Sequence, residues 1–261
     1  MAEVELARMT WKQADAARSR GAAVLIPVGS QEQNGSVCPL ASDTLVVLEV
    51  AKRVAEKTGA VVAPPVTYGY SPQFRHFPGT VSLMPDTLRM LLFDVCRNLI
   101  ENGFKYLLLV NCHIPNEPIL EHAARDVREQ LGILMGSMNP IALAQGASKD
   151  LYAGAEASLG HGSEPIASIL RSFVPETVDL ESARPDTWKE FQGLTVVGSS
   201  RVKIGGGTFG LYIGVEEAAE TGGTGDPTAS NPERGAEILR RVVDLASQYV
   251  NAFARLRVAA E

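Results

Sequence analysis

Short apolar runs alternate with longer segments of helical periodicity along most of this chain, and that alternation admits few folds. Ala22-Ala-Val-Leu-Ile-Pro-Val28 reads as a buried strand. Residues 43–57 read as a helix, with Asp43 or Thr44 at its cap and Gly59 just past its end. Ala60-Val-Val-Ala63 reads as a second short strand, stopped by Pro64-Pro65. In residues 86–102, Leu88, Leu91, Leu92, Val95 and Leu99 recur at the spacing of one helix face, and Gly103 follows. Tyr106-Leu-Leu-Leu-Val110 is a further strand that runs into Asn111-Cys112-His113. Helices are expected from near Asn116 and Pro118 to about residue 131, and from Asn231-Pro232 to about residue 256. Strand and helix in alternation imply an α/β fold with a mostly parallel sheet covered on both faces. No linker, low-complexity stretch or internal repeat divides the chain, so residues 1–261 are expected to form a single domain. Glycine-rich Ile204-Gly-Gly-Gly-Thr208 and Thr221-Gly-Gly-Thr-Gly-Asp226 read as turns near a cleft, and neither has the spacing of a phosphate-cradling loop.

Charge narrows the function classes. With 24 basic against 30 acidic side chains the net charge is −6, the wrong sign for neutralising phosphates, so no nucleic-acid partner is expected. Apolar runs such as Leu107 to Val110 fall far short of the roughly 18 residues of a membrane span, so no membrane partner is expected either. Glu3 and Glu5 stand where a secretory signal would carry basic residues. Cys38, Cys96 and Cys112 include no C-x-x-C pair, which points to a reducing compartment rather than a disulfide framework. A cytoplasmic location is the expectation.

Candidate chemistry collects just after the strands. In Val28-Gly-Ser-Gln-Glu32-Gln-Asn34-Gly-Ser-Val-Cys-Pro-Leu-Ala-Ser-Asp43-Thr44, an extended backbone would turn Glu32 and Asn34 to one side, and Asp43 could turn its carboxylate towards them. His113 leaves its strand at the same carboxyl edge, where open α/β sheets bind ligands. Two carboxylates and an imidazole converging there suit Zn²⁺, Mn²⁺ or Fe²⁺. The alternative keeps Glu32 as a solvated loop residue, Asp43 as a plain N-cap and His113 as a packing residue. Gly160-His161-Gly-Ser163-Glu164 offers a general acid or base in His161, while Glu164 could serve in catalysis or as a first-turn carboxylate favoured by the helix dipole. His122 reads as part of a solvated helix face, and His76 lies in a loop beside Arg75. No G-x-S-x-G elbow exists for a serine hydrolase. Cys112 and His113 are adjacent in an extended segment and face opposite ways, so they make a poor nucleophile and base pair.

Taken together these stretches resemble the creatininase (creatinine amidohydrolase) family. The family motif G-S-T-E-Q-H-G-x-H-L-P-L-x-x-D-T reads here G-S-Q-E-Q-N-G-S-V-C-P-L-A-S-D-T, with the spacing of Glu32, Asn34 and Asp43 retained. N-G-H-x-x-N matches Asn111-Cys112-His113-Ile-Pro-Asn116, F-P-G-T-[IV]-S-L matches Phe77 to Leu83, and H-A-G-E-x-E-T-S matches His161-Gly-Ser-Glu164-Pro-Ile-Ala-Ser168. Met9-Thr-Trp11 and Gly225-Asp-Pro227 also resemble family positions, so the likeness runs over about residues 9–245. The resemblance implies a three-layer α/β sandwich, a homo-oligomer that is often a hexamer, and one or two divalent ions, zinc or manganese. Carried over, Glu32 and His113 would bind the first ion, Asp43 would bridge both, and position 34 would bind the second. His161 would transfer a proton with Glu164 beside it, and Ser71, Gln73, Asn116 and Trp188 would contact substrate.

Departures from the family pattern bear on the substrate. Asn34 replaces a histidine, Pro115 stands where creatininase supplies a carboxylate, Ile166 replaces a second glutamate, and Gln73-Phe74 stands where relatives often have E-H. Only Trp188 falls in the region of the family's aromatic lid. These changes argue against creatinine itself. The expected function is a metal-dependent hydrolase acting on a small polar, cyclic carbonyl substrate by amide or lactam ring opening or deacylation. Two alternatives stand beside it: hydrolytic carbon–carbon ring opening of a cyclic polyhydroxy ketone of keto-inositol type, and a non-catalytic relative that binds a metabolite.

Overall fold

The computed structural model describes residues 3–257. Four short strands, β1 (Val24–Val28), β2 (Val61–Val62), β3 (Leu107–Asn111) and β4 (Gly136–Met138), form a fully parallel sheet in the order β2-β1-β3-β4. β1 and β3 lie side by side with Val24 opposite Leu107 and Val28 opposite Asn111, so both chains leave the sheet at the same edge. Alternate side chains divide between two cores. Leu25, Leu108 and Val110 go to one face, while Val24, Ile26, Val28, Leu107 and Leu109 go to the other.

Helices cover both faces, giving three layers. On the first face pack α2 (Ser42–Thr58), α5 (Pro140–Ala147), α6 (Ile166–Phe173) and α7 (Pro232–Phe253). On the second pack α1 (Trp11–Ser19), α3 (Pro85–Glu101) and α4 (Glu117–Leu131). Leu88, Leu92 and Cys96 form the buried stripe of α3 with Val95 and Leu99 partly buried beside it, whereas Leu91, expected on the same face, is exposed. Among the described residues no helix is long and apolar enough to cross a membrane.

Two expectations need correction. Neither Asp43 nor Thr44 caps α2. The N-cap is Ala41, whose methyl group has nothing to cap with, and Asp43 lies in the first turn with its carboxylate bonded to Ser30. The Ile204-Gly-Gly-Gly-Thr208 stretch is a turn, as read, but it does not line the cleft: it is the tip of a hairpin in a separate antiparallel sheet, β5 (Thr195–Gly198), β6 (Arg201–Ile204) and β7 (Gly207–Gly210). Its loop is Gly205-Gly206, with positive φ at Gly205, which suits a two-residue hairpin. Of its apolar residues only Val196 and Val202 are buried, with Ala218, so the segment carries little hydrophobic periodicity to read.

Candidate metal centre

The site begins where β1 and β3 end. A Cβ on Gly29 would stand 2.8 Å from Thr44 Cα, so only glycine lets the first turn of α2 seat against the end of β1. That apposition brings Asp43 to the loop that carries Glu32. Gly162, at φ 69°, lies so close to the backbone of Asn34 and Gly35 that a Cβ would overlap both, and this draws the His161 loop onto the Glu32 loop.

Glu32, Asp43 and His113 are all buried, and one ligating atom from each lies within 4.8 Å of the others. His113 Nδ1 is 3.1 Å from Asp43 Oδ2 and 3.3 Å from Glu32 Oε1. On its other side, Nε2 lies 2.9 Å from the Tyr70 carbonyl and 3.1 Å from Ser71 Oγ. A carbonyl only accepts, so Nε2 carries a hydrogen and Nδ1 is the atom turned to the carboxylates. Ser30 Oγ donates to Asp43 Oδ2 at 2.7 Å. Burial alone would lower the His113 pKa, but the Glu32 and Asp43 carboxylates outweigh it and raise it to about 10.

The chemistry of this set fits a divalent cation. Two carboxylates and one imidazole nitrogen are a donor set suited to zinc or manganese, held by side chains from three different elements. Glu32 Oε2 is buried without a hydrogen-bond partner, an arrangement that costs about 1–3 kcal/mol or more unless something positive satisfies it. In the protein alone, the proton on His113 Nδ1 supplies the positive charge between the carboxylates.

The other expected residues fall into two groups. Asn34, Gln73, His161, Glu164 and Trp188 line the same cavity of about 780 Å³ as the triad. Ser71 and Asn116, expected to contact substrate, do not line it. Ser71 is buried against His113, and Asn116 is a clip between loops: its amide donates to the Gly29 carbonyl and to Asn111 Oδ1 and accepts from the Tyr70 N–H. Asn111 closes the clip by donating to the His113 carbonyl at 2.7 Å. The two asparagines of the Asn111 to Asn116 motif therefore set the position of His113.

His161 sits at the cavity edge with 26% of its side chain exposed, its Nε2 4.0 Å from Glu32 Oε1. That nitrogen donates to the Gln33 carbonyl at 2.9 Å, and the ring stacks on Phe74 with centroids 4.5 Å apart and planes 12° from parallel. The Thr221 to Asp226 loop does lie beside this site, since the Thr224 N–H donates to the His161 carbonyl at 2.9 Å. Glu164 is buried in a closed network. Oε2 accepts from Tyr152 at 2.5 Å, and Oε1 accepts from Ser168 at 2.6 Å and Arg234 at 3.1 Å. Cys112 also lines the cavity, but burial, with the nearby Asp43, pushes its thiol well above the ordinary range, leaving no thiolate for a cysteine mechanism. Sequence reading gives no role to Ser30 or Tyr152, and notes Phe74 only as a departure from the family pattern. Ser30 and Phe74 lie within or beside the matched motifs, but Tyr152 sits in a segment with no motif at all.

Comparison with known proteins adds a consistent picture. The family model Creatininase, described as creatinine amidohydrolase, matches residues 7–250. A creatinine amidohydrolase of Pseudomonas putida is 33% identical over 196 residues, 68% of this chain and 75% of the relative. A 3-dehydro-scyllo-inosose hydrolase of Thermotoga maritima is 37% identical over 107 residues, 40% of this chain and 34% of the relative. A mycofactocin precursor peptide peptidase of Mycolicibacterium smegmatis is 40% identical over 111 residues, 40% of this chain and 44% of the relative. Among solved structures, one described as creatinine amidohydrolase (creatininase) superposes with TM-score 0.83 at 25% identity, covering 98% of this chain and all of that one. Another, described as "Creatininase Mn", superposes with TM-score 0.81 at 25% identity and the same coverage.

Proposed function

The chain belongs to the creatininase family, and from that premise we propose that Glu32, Asp43 and His113 hold a divalent cation, zinc or manganese, and that the protein hydrolyses an amide, opening a lactam ring or removing an acyl group. The observation that carries the reading is the buried triad itself, together with a Glu32 Oε2 that is buried without a hydrogen-bond partner. Membership of a family whose relatives are hydrolases sets aside the non-catalytic reading. A bound divalent ion supplies Lewis acidity to a carbonyl oxygen and makes water acidic enough to attack near neutral pH.

The chain's own groups do the rest. Tyr70, Ser71 and the asparagine clip hold His113 with Nδ1 towards the carboxylates, and Ser30 fixes Asp43. His161 is the proton carrier. Its Nε2, on the Gln33 carbonyl and 4.0 Å from Glu32 Oε1, is the nitrogen beside the triad and hands its proton to the departing amine. Phe74 keeps that ring in one plane. Asn34 offers an amide oxygen, a weaker ligand than imidazole, to a second ion. Glu164, closed into its network, shapes the wall rather than moving protons. A homo-oligomer, hexameric by family likeness, and a cytoplasmic location belong to the same proposal.

The likeness to a 3-dehydro-scyllo-inosose hydrolase favours a second reading, hydrolytic carbon–carbon ring opening of a keto-inositol. Manganese-loaded protein assayed against lactams, N-acyl amines and cyclic polyhydroxy ketones decides between them. Turnover of amides alone supports the first reading, and turnover of ketones alone supports the second. Failure on both classes with the ion retained would refute the proposal.

A further inference from the structure

Apart from its ionic cluster, the cavity is walled largely by apolar side chains: Ile114, Ile141, Leu159, Pro165, Ile166 and Trp188. Two of the positions where this sequence departs from the creatininase pattern, Pro115 and Ile166, exchange an expected carboxylate for an apolar group on this wall. Several of the polar groups beside that wall are already engaged within the protein. Both Glu164 oxygens already accept hydrogen bonds, Tyr152 spends its hydrogen on Glu164, and Ser148 donates to the Ala144 carbonyl. Gln145, Lys149 and Glu156 are exposed. Hydroxyl groups lying against Ile114, Ile141 and Ile166 would lose water and gain no partner from those side chains.

Size points the same way. Cavities of roughly 300–1,000 Å³ enclose drug-sized ligands, and about 780 Å³ leaves ample room beyond a small polar ring. Ile114 and Leu159, 55% and 39% exposed, are large apolar side chains left uncovered on this wall.

We infer that the substrate joins its reacting carbonyl to an apolar group, aliphatic or aromatic, which lies against Ile114, Ile141 and Ile166. This rests on the reading of Glu32, Asp43 and His113 as the reacting centre and amends its substrate. The polar ring expected from family likeness becomes the reacting end of a larger, partly apolar molecule.

Hydroxamic acids of increasing chain length, which chelate divalent ions through a constant head group, test this by calorimetric titration of manganese-loaded protein. From acetohydroxamic to hexanohydroxamic acid, each methylene should tighten binding about three- to fourfold as it leaves water for the wall. Ile114→Ser, at an exposed position that leaves the core intact, should flatten that dependence. An equal affinity for every chain length, with acetohydroxamic acid binding well, would overturn the inference and leave the metal centre standing. Failure of every hydroxamate to bind protein that retains manganese would overturn the metal-centre reading, and this inference with it.

Discussion

Raising the pH should strengthen metal binding steeply, because the ion must displace a proton that the carboxylates hold tightly. With the His113 pKa raised to about 10, the imidazole of the metal-free protein is almost wholly protonated at pH 7.5. Removing that proton costs about 1.36 kcal/mol for each pH unit below the pKa, so roughly 3.4 kcal/mol at pH 7.5. The apparent Kd for manganese should therefore fall about 100-fold between pH 7 and pH 9. Close to one proton should leave per ion bound. Titration calorimetry in two buffers of different ionisation heat measures both quantities at once. The same linkage acts on stability. A folded-state pKa raised above the ordinary 6.5 contributes stability that is complete below about pH 6.5 and is lost as the pH rises through 10. Metal-free protein should thus lose thermal stability across that window, while loaded protein should not. A Kd independent of pH, with no proton released, would refute the placement of a protonated His113 between Glu32 and Asp43.

Three further outcomes are expected. Tyr152→Phe removes the donor to buried Glu164 Oε2 and should cost about 1–3 kcal/mol in denaturant unfolding, an unchanged midpoint counting against the closed network. Phe74→Leu keeps an apolar group but removes the flat face under His161, so turnover should drop while elemental analysis shows the ion retained; full turnover would mean the stack does not orient that ring. Helix propensity alone predicts that Gly235→Ala stabilises α7 by about 1 kcal/mol, but the new Cβ would overlap the Ser168 carbonyl and stand 2.8 Å from the Ile169 nitrogen. Net destabilisation of about 1–3 kcal/mol is expected, and a raised Tm would contradict the close packing of α6 on α7.

The triad was legible in sequence because its members stand just past two strongly apolar strands and at the start of a periodic helix. Parallel pairing of β1 and β3 then brings those chain ends together whatever the details of the loops. The bounds of α2, α3, α4 and α7 were legible to within a few residues, as periodic burial marks these helices, whereas the sequence reading does not identify α1 and α5 as helices. What could not be read is what depends on contacts distant in sequence. Asp43 looks like a cap, and only the approach of Ser30 and His113 shows where its carboxylate goes. Ser71 and Asn116 are expected from family likeness to contact substrate, yet their side chains are spent on holding His113 and its neighbouring loops. The antiparallel sheet escaped notice because most of its residues face solvent and its short strands lack an apolar alternation.

Anomalous diffraction from crystals grown with manganese tests the central claim most directly. One strong peak should lie within about 2.0–2.4 Å of a Glu32 oxygen, an Asp43 oxygen and His113 Nδ1, with Nε2 still on the Tyr70 carbonyl. A peak bonded to other groups, or a His113 ring turned so that Nε2 faces the carboxylates, would contradict the account.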